Sequence, residues 1–533
     1  MRVYPVAGRL PTSLGAKLLV VTAWRRSRFF RGDVTVVSVV VVLILTFALA
    51  GAGRGSDDPP PGLAGAATVT VDPSSTGATV PAGFVGLSLE YPAVPAYAGN
   101  DPGSLDPVFV QLVRNLAPGQ APVLRIGGDS ADRTWWPTAT VQRPAGVTFA
   151  ITGRWLAVTR SLAQTLGAHL ILGLDLEADS PELASAEATA LIDGVGPRSI
   201  RALELGNEPD LYAAFPWYRV AGGRVLGRPP GYDEASFIND FAQFTSALPR
   251  VPLAGPSLSG RSWTEGLGQF LAAEPQLGLV TLHRYPLQLC LTRPSSPRYP
   301  TLSRLLSPAS SVGLADSFAP AVALARSHGL ALRIDELNTV SCGAVPGVSK
   351  SFASALWALD TMFELARVGV SGVNVHTFPG AGYELFNITH TGGSWRAAVA
   401  PEYYGLLMFA RATPPGSRLV NVGGGGAGGP VHSWATRARD GTIRVVLTNE
   451  GSSPRTLAVR IAGRNAKAAL TRLTAPSASA KSGVTLGGQS FAAQTETGLL
   501  AGRAENSSVA PYDGRYVVSL PATSAAMLVL PPR

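Results

Sequence analysis

The chain has 533 residues, of which 46% are hydrophobic and only 15% are charged. This composition excludes an intrinsically disordered chain, and the length allows a large core together with an accessory domain. The formal net charge is +9, but the arginines are scattered along the sequence apart from one group at positions 25–31. Nucleic-acid binders usually gather their basic residues in one stripe, so no nucleic-acid partner is predicted.

The N-terminal part of the chain contains three segments that precede any predicted domain. Residues 1–33 form a basic extension, and residues 34–54 contain an uncharged apolar run that is about as long as a bilayer requires. The run ends in Ala48-Leu49-Ala50, a small-x-small pattern that a signal peptidase could cut. The segment is therefore either a cleaved signal peptide or a membrane anchor. Both predict export, as a secreted protein or one tethered to the outer face of the cell membrane. Residues 55–66, rich in Gly, Pro and Asp, are predicted to be a linker.

Short apolar stretches alternate with amphipathic or alanine-rich stretches from residue 67 to residue 415. The apolar stretches are rich in β-branched residues, as strands buried on both faces should be. The predicted strands are 84–90, 122–128, 169–177, 199–206, 251–257, 279–285, 331–336 and 373–378. The clearest predicted helices are 183–194, 233–248 and 349–369. Eight β/α repeats over this length predict an α/β fold, a (β/α)8 TIM barrel.

The sequence changes character after residue 415. A glycine-rich tract at 423–429 precedes stretches in which apolar and polar residues alternate, the pattern of half-buried strands. Residues 416–533 are therefore predicted to form an antiparallel β-sandwich. The early stretch 67–73 has a similar pattern and could join this domain, which would make the sandwich discontinuous in sequence.

Two glutamates stand at the ends of predicted strands in similar surroundings. Glu208 lies in the sequence LELGNEPD and Glu336 in LRIDELN, so each follows an apolar run and has an asparagine nearby. In a barrel of this kind, the carboxyl ends of the strands carry the catalytic groups. Two carboxyl groups that flank one bond are what glycoside hydrolysis requires. The pair therefore predicts a glycoside hydrolase with a carbohydrate substrate.

Four motifs together resemble glycoside hydrolase family 79, the β-glucuronidase and heparanase family of the clan A hydrolases. They are LRIGGDSAD (124–132), LELGNEPD (203–210), TLHRYP (281–286) and LRIDELNTVSCG (332–343). The resemblance extends from about residue 67 to the C-terminus. It implies that Glu208 is the general acid/base and Glu336 the nucleophile of a retaining enzyme, in which the sugar is held covalently before water releases it. The implied activity is that of an exo-acting β-glucuronidase.

The resemblance also implies a set of residues that contact the sugar. Asn207 is expected to bond the 2-hydroxyl, and Tyr285 to hold the nucleophile. Glu90 and Asp129, which close predicted strands 1 and 2, are expected to bond the distal hydroxyls; Asp129 is alternatively a helix N-cap, a position that Asp favours. His283 faces the same side of its strand as Tyr285, and is either a functional residue or a packed core histidine.

The sugar carboxylate has its own predicted site in this resemblance. Backbone N–H groups at Gly343 and Ala344 are expected to bind it together with Tyr383, because backbone donors form a fixed concavity for anions. The chain has Ala344 where the family often has a second glycine.

The only two cysteines, Cys290 and Cys342, are expected to form a disulfide, since an exported chain with an even count favours one. The alternative is two separate buried thiols. The six histidines show no metal-ligand spacing, so neither a metal nor another cofactor is predicted.

Three other functions remain open from the sequence. An endo-β-glucuronidase of the heparanase type would need an open cleft with basic residues, and Arg219, Arg224 and Arg228 in the predicted insertion 210–232 keep that option. Another clan A specificity, such as an arabinofuranosidase, would lack the anion site at Tyr383. A carbohydrate-binding surface protein with a dead barrel is the third option. The oligomeric state is not predicted.

Overall fold

The computed structural model describes residues 62–424 and 429–533. The predicted extension 1–33, the predicted signal peptide or anchor 34–54 and all of the predicted linker before residue 62 lie outside the described residues. Within the part of the chain that the structure describes, none of the helices is both long enough and apolar enough to cross a membrane.

The described strands follow in chain order. They are β1 (Ala67–Thr79), β2 (Val85–Glu90), β3 (Val123–Gly127), β4 (Thr134–Trp135), β5 (Phe149–Ala150), β6 (His169–Leu174), β7 (Ile200–Leu205), β8 (Pro216–Val220), β9 (Gly223–Leu226), β10 (Leu253–Leu258), β11 (Leu277–Arg284), β12 (Leu287–Gln288), β13 (Leu332–Leu337), β14 (Val340–Ser341), β15 (Val373–His376), β16 (Phe386–Thr391), β17 (Ser394–Val399), β18 (Arg418–Gly424), β19 (Val431–Arg437), β20 (Ile443–Asn449), β21 (Arg455–Ile461), β22 (Ala468–Thr474), β23 (Thr485–Leu486), β24 (Ser507–Val509), β25 (Arg515–Leu520) and β26 (Ser524–Leu530).

The described α-helices are α1 (Ala93–Ala98), α2 (Pro107–Leu116), α3 (Gly153–Leu166), α4 (Pro181–Val195), α5 (Glu234–Ala247), α6 (Arg261–Thr264), α7 (Leu267–Ala273), α8 (Leu302–Leu305), α9 (Val312–Asp316), α10 (Ala319–Ser327), α11 (Pro346–Ser349), α12 (Phe352–Val368) and α13 (Pro401–Ala412). Polar side chains begin several of them. Thr152, Ser180 and Asp233 each accept a hydrogen bond from a backbone N–H in the first turn of α3, α4 and α5, which satisfies a donor that the helix itself leaves unpaired.

Eight parallel strands close into a barrel. In chain order they are β2, β3, β6, β7, β10, β11, β13 and β15. Each overlaps one of the eight predicted strands, so the predicted (β/α)8 barrel is confirmed. Every residue of β3, β13 and β15 is buried, because helices cover the outside of a parallel barrel while side chains fill its inside. The carboxyl ends of all eight strands therefore open onto one face.

A second sheet of ten strands forms the C-terminal domain. It contains β1 and the nine strands from β18 to β26. Strand β1 pairs antiparallel with β18 and parallel with β21, so the early stretch 67–73 does belong to this domain. The sheet folds over on itself, because strands near its two ends bury side chains in one apolar cluster, for example Val459, Val518, Leu470 and Leu528. The predicted antiparallel domain is confirmed, with the β1–β21 pair as its one parallel contact among the described strands.

The barrel and the C-terminal domain share one apolar core. Val446, Phe491 and Met527 of the C-terminal domain belong to the same buried cluster as the barrel strands and helices. Trp434 of β19 stacks on Phe363 of α12, with ring centroids 5.4 Å apart and planes 7° apart. The two parts therefore stabilise one another.

Candidate active site

Glu208 and Glu336 lie at the carboxyl ends of the fourth and seventh barrel strands. Glu336 is the next-to-last residue of β13, and Glu208 follows the end of β7 by three residues. Glu208 has φ 53°, a left-handed conformation that is uncommon for residues other than glycine. Its N–H donates to the carbonyl of Ser257 in β10 at 3.1 Å. In this arrangement, one carboxylate oxygen of Glu208 lies within 4.8 Å of one of Glu336.

Glu336 is held as a carboxylate by donors on both of its oxygens. Arg125 Nη1 donates to Oε2 at 2.6 Å, and the Tyr285 hydroxyl donates to Oε1 at 2.8 Å. Burial raises the pKa of Glu336, but the positive charges of His376, of His283 when protonated, and of Arg125 outweigh it. With the Tyr285 hydrogen bond, these charges hold the pKa of Glu336 well below its usual range. The side chain is therefore ionised at neutral pH.

The surroundings of Glu208 shift its pKa in the opposite direction. Burial, and next the charge of Glu336, raise the pKa of Glu208 well above its ordinary value. His283 Nδ1 lies 3.2 Å from Glu208 Oε1. Burial lowers the pKa of His283 to about 4, so the ring is neutral near pH 7 and adds no charge that would ionise Glu208. His283 is thus part of the site and not only a packed core residue.

Arg125 connects Glu336 to the rest of the barrel interior. It is fully buried in β3, and besides Glu336 it donates to Glu204 Oε2 and to Asn207 Oδ1, each at 2.8 Å. One rigid guanidinium therefore fixes the positions of three side chains. Sequence reasoning missed Arg125. The available signal was an arginine in the middle of LRIGG, a run that is otherwise apolar and buried.

Glu204 and Asp335 form a carboxyl pair beneath the site, and sequence reasoning missed both. Burial opposes the ionisation of Glu204, but the charge of Arg125 lowers the pKa of Glu204 to about 2. Burial and the nearby Glu204 charge raise the pKa of Asp335 well above its ordinary value. Asp335 therefore keeps its proton while Glu204 is ionised. Asp335 Oδ1 also lies 3.4 Å from His283 Nε2.

His376 is a further residue that the sequence did not single out. It ends β15 and is almost fully buried. Its Nδ1 lies 3.0 Å from the Ser88 hydroxyl, and its Nε2 lies 3.5 Å from Glu90 Oε1. Burial opposes protonation of the ring, but the charges of Glu336 and Glu90 raise the pKa of His376 above its ordinary value. His376 thus connects the first strand of the barrel to the nucleophile candidate.

The structure brings Asn207, Glu90 and Asp129 to the same face as the two glutamates. Asn207 Nδ2 lies 3.5 Å from Asp129 Oδ1, and Glu90 Oε2 accepts from the Ser130 N–H at 2.8 Å. Asp129 is exposed in the short 3-10 helix Gly128–Arg133, whose N-cap is Gly127. The alternative interpretation of Asp129 as a helix cap is therefore wrong, and its carboxylate faces solvent.

A buried carboxylate positions the backbone of Asn207. Asp132 Oδ2 accepts from the Asn207 N–H at 3.0 Å and from the Tyr212 hydroxyl at 2.7 Å. Asp132 Oδ1 accepts from the Leu176 N–H at 3.0 Å. These bonds tie the turn that carries Asn207 and Glu208 to the preceding strand end.

The predicted carboxylate-binding residues Gly343, Ala344 and Tyr383 also come together. Gly343 and Ala344 have φ 99° and φ 63°, so Ala344 adopts a conformation that a glycine would take more easily. A Cβ at Gly382 would lie 2.8 Å from both the Gly343 carbonyl oxygen and Ala344 Cβ, so only glycine fits this close approach. The Tyr383 ring, next along the chain, lies 6.0 Å from the Tyr285 ring.

The predicted disulfide is confirmed. Cys290 and Cys342 are bonded, with Cα atoms 5.7 Å apart. The short strands β12 and β14 pair directly before these cysteines. The disulfide therefore ties the loop after Tyr285 to the turn that contains Gly343.

Two groups in the site have ligand atoms within 4.8 Å of one another, close enough to hold a metal ion. They are Glu208, His283 and Glu336, and Glu204, His283 and Asp335. The absence of a metal or other cofactor in the reaction stays a prediction from the sequence.

Comparisons with known proteins agree with this architecture. Residues 431–527 match the glycosyl hydrolase family 79 C-terminal beta domain. A β-glucuronidase of Neurospora crassa is 24% identical over 398 residues, which cover 67% of this chain and 68% of the relative. A β-glucuronidase of Aspergillus niger is 25% identical over 395 residues, covering 64% of this chain and 66% of the relative.

A solved structure shows the same fold as most of this chain. It is the 4-O-α-L-rhamnosyl-β-D-glucuronidase of Fusarium oxysporum, with a TM-score of 0.65 and 20% sequence identity. The match covers 86% of this chain and all of that structure. These findings confirm the resemblance to glycoside hydrolase family 79, and the chain is a glycoside hydrolase.

Proposed function

We propose that the chain is a retaining, exo-acting β-glucuronidase that removes terminal glucuronate from glycans or glycoconjugates. The observation that carries the proposal is the pair Glu208 and Glu336, which approach within 4.8 Å and have pKa values shifted in opposite directions. Retaining enzymes hold their two carboxyl groups about 5–5.5 Å apart, whereas inverting enzymes separate them by about 6.5–9.5 Å to admit a water. The close approach supports retention.

The proposed reaction has two displacements at the anomeric carbon. In the first, the Glu336 carboxylate forms a bond to that carbon while the glycosidic bond breaks and Glu208 gives its proton to the leaving oxygen. In the second, Glu208 accepts a proton from water, the water oxygen bonds the same carbon and Glu336 leaves. Arg125 and Tyr285 keep Glu336 ionised and oriented for the attack.

Uronate specificity is proposed from the turn at Gly343 and Ala344. Backbone N–H groups in successive left-handed or turn conformations form an anion-binding concavity, and this turn has that kind of backbone. Tyr383 lies beside it, and its buried hydroxyl stays protonated because burial raises the pKa of Tyr383 well above its ordinary value. A hydroxyl donor and backbone donors together suit a sugar carboxylate. The names of the two fungal relatives support the same substrate class.

Exo action is proposed from two predicted insertions on the catalytic face, residues 210–232 and residues 286–312. Strands β8 and β9 make a hairpin in the first insertion, and Trp217 of this hairpin donates to the Asp132 carbonyl at 2.6 Å. The second insertion is tied down by the disulfide Cys290–Cys342. Loops that are held in place at the edge of the site suit an enzyme that binds the end of a glycan chain.

The endo alternative has less support from the arginines that suggested it. Arg228 is buried, donates to Asp240 at 2.8 Å and to the Leu176 carbonyl at 2.9 Å, so it is not free to bind an anionic polymer. Arg219 and Arg224 are exposed on the hairpin. Of the three arginines, only Arg219 and Arg224 could therefore contact a long substrate.

Export is part of the proposal. It rests on the apolar segment 34–54 and agrees with the disulfide, since disulfides persist mainly in oxidising compartments.

A comparison of three chromogenic substrates tests the proposed specificity. The full chain is assayed with the 4-nitrophenyl β-glucuronide, the β-glucoside and the α-arabinofuranoside. We expect turnover of the glucuronide, with kcat/KM at least about 100-fold above that of the glucoside, because the glucoside leaves the anion site unpaired. Preference for the arabinofuranoside would overturn the uronate proposal. No turnover of any of the three would favour an endo enzyme or a binding protein.

A further inference from the structure

A second cluster of ionisable side chains lies far from the catalytic residues in the sequence, at the contact between the barrel and the C-terminal domain. Asp360 and Glu364 are one turn apart on α12 and face β19, where His432 lies opposite them. Possible ligand atoms of these three residues lie within 4.8 Å of one another. Asp360 is completely buried and Glu364 almost so.

The contact between Asp360 and His432 has the spacing of two ligands on one ion. His432 Nδ1 lies 3.2 Å from Asp360 Oδ2, the distance of an ion pair, and no other group donates a hydrogen bond to Oδ2. A fully buried carboxylate oxygen is costly unless a proton on the adjacent ring or a bound cation balances its charge. Two ligand atoms that are each about 2.0–2.1 Å from a tetrahedral zinc ion lie about 3.3 Å from one another.

Outer contacts orient both carboxylates and leave an oxygen on each for a ligand. Trp434 Nε1 donates to Asp360 Oδ1 at 2.9 Å, which leaves Oδ2 directed at His432. Arg367 Nε donates to Glu364 Oε2 at 2.6 Å. Metal-binding carboxylates are commonly held by such hydrogen bonds from residues outside the coordination sphere.

His432 has a carboxylate behind its other nitrogen. Glu450 Oε2 lies 3.9 Å from His432 Nε2, on the opposite edge of the ring from Asp360. Metal-binding histidines typically direct their second nitrogen at a carboxylate or carbonyl, which sets the tautomer that leaves the first nitrogen free for the metal. Thr448 is paired with His432 across β19 and β20, so both side chains share one face, and its buried hydroxyl also has no partner.

We propose that Asp360, Glu364 and His432 form a structural zinc site that joins barrel helix α12 to strand β19 of the C-terminal domain. One imidazole nitrogen and two carboxylate oxygens are ligands that Zn²⁺ accepts, with water as the fourth ligand. The charge of the ion would balance the two carboxylates. The site lies apart from the catalytic one and is built from different residues. It could not be predicted from the sequence, because His432 lies 68 residues after Glu364.

The competing account is an ion pair between protonated His432 and Asp360, with no metal. A zinc ion and a protonated His432 would each balance the negative charge of the buried carboxylates. The measurement that distinguishes them is metal binding itself. The full chain is treated with a chelator, equilibrated with a small excess of Zn²⁺ and separated from free ion by gel filtration. Zinc per chain is then measured by plasma mass spectrometry, and the thermal midpoint is recorded with and without Zn²⁺.

We expect one tightly held zinc per chain and a Tm about 5 °C higher at zinc concentrations about 100-fold above Kd. His432→Gln should lose the retained zinc and the Tm shift. His328→Gln is the matched control, because His328 is exposed at the end of α10. The double variant Glu208→Gln/Glu336→Gln tests the catalytic pair, and it should keep the zinc.

Three results would overturn the proposal. The first is an unmodified chain that retains no zinc and shows no Tm shift. The second is loss of zinc in the catalytic double variant together with retention in His432→Gln. The third is retention of Ca²⁺ and not Zn²⁺, which would contradict the nitrogen-containing ligand set. If His432→Gln fails to fold, the zinc content and Tm shift of the unmodified chain and of the catalytic double variant decide the matter.

Discussion

At the scale of single residues, two glutamates within 4.8 Å of one another have pKa values shifted in opposite directions. Arg125 and Tyr285 donate directly to Glu336, whereas Glu208 faces a neutral His283 and the charge of Glu336. These opposite environments support the proposed roles of general acid and nucleophile, since the surroundings of paired carboxyl groups commonly separate their functions. The chemistry of the site follows from this asymmetry.

The asymmetry predicts a bell-shaped pH profile of kcat/KM. Activity should fall on the acid side as pH drops through the lowered pKa of Glu336, below 4.5, since the nucleophile becomes protonated. It should fall on the alkaline side as pH rises through the raised pKa of Glu208, since the general acid loses its proton. In Glu208→Gln, assayed with a dinitrophenyl glucuronide whose leaving group needs no proton, the alkaline limb should disappear. Persistence of that limb would contradict the assignment.

Arg125 is expected to affect catalysis strongly through its contact with Glu336. Arg125→Lys removes the guanidinium group that donates hydrogen bonds to Glu336, Glu204 and Asn207. We expect kcat to fall by about 10²–10³-fold and the acid limb to move to higher pH, because Glu336 loses part of the charge that keeps it ionised. Arg333→Lys is the matched control: Arg333 is as buried, but bonds Asn374 and backbone carbonyls. An unchanged acid limb in Arg125→Lys would contradict this role.

At the scale of elements, strand ends and short loops convert the barrel into a site. Strand β11 shifts its register against β13 between Leu282 and His283, so that His283 stands opposite Glu336. Such an irregularity re-aims side chains at the end of a strand. The loops that follow β11 and β13 are then joined by the disulfide Cys290–Cys342.

Loss of the disulfide should loosen this end of the barrel. The two cysteines are 52 residues apart, and chain entropy for a loop of that length corresponds to about 4 kcal/mol of stability. Cys290→Ser/Cys342→Ser should reduce the free energy of unfolding by up to this amount, and raise KM for the glucuronide because Gly343 directly follows Cys342. Denaturant unfolding of the oxidised chain, the chain reduced with dithiothreitol and the variant makes the comparison. Equal stability in all three would refute the prediction.

The strands were predictable from the sequence because each is a run of buried apolar residues bounded by polar ones. Glu208 and Glu336 were visible because they close such runs. Arg125, Asp335 and His376 were not, because a charged residue inside a buried strand is interpretable only when its partners from other strands are known. For Arg125, the partners Glu204 and Glu336 lie 79 and 211 residues away in the sequence. No local sequence pattern connects residues so far apart.

At the scale of the whole molecule, the chain starts its C-terminal domain before it builds the barrel. Strand β1 lies inside the second sheet, between β18 and β21, and all the barrel strands lie between β1 and β18 in the sequence. Phe491 of the C-terminal part packs within the main core, with its ring 5.5 Å from Tyr403 and 5.2 Å from Tyr404 on α13. The C-terminal domain therefore packs against α13 of the barrel.

Phe491→Ala should destabilise the barrel and the C-terminal domain together. The ring is 1% exposed, and removing a buried phenylalanine costs about 3–5 kcal/mol through lost burial and a cavity. We expect a single unfolding transition at lower denaturant with kcat and KM nearly unchanged, since Phe491 does not contact the site. Leu499→Ala, at a position that is 49% exposed, is the control and should change stability little. Two separate transitions in Phe491→Ala would contradict a shared core.

The central claim is that Glu336 attacks the anomeric carbon of a glucuronide. The most direct test is incubation of the full chain with 2-deoxy-2-fluoro-β-glucuronyl fluoride, followed by peptide mass spectrometry. Fluoride leaves as the carboxylate bonds the anomeric carbon, and the fluorine at C2 slows the second displacement. The account predicts one fluoroglucuronyl adduct, on the peptide that contains Glu336, and much slower labelling by the glucosyl analogue. An adduct on a different residue, or turnover of glucuronides without any adduct, would contradict it.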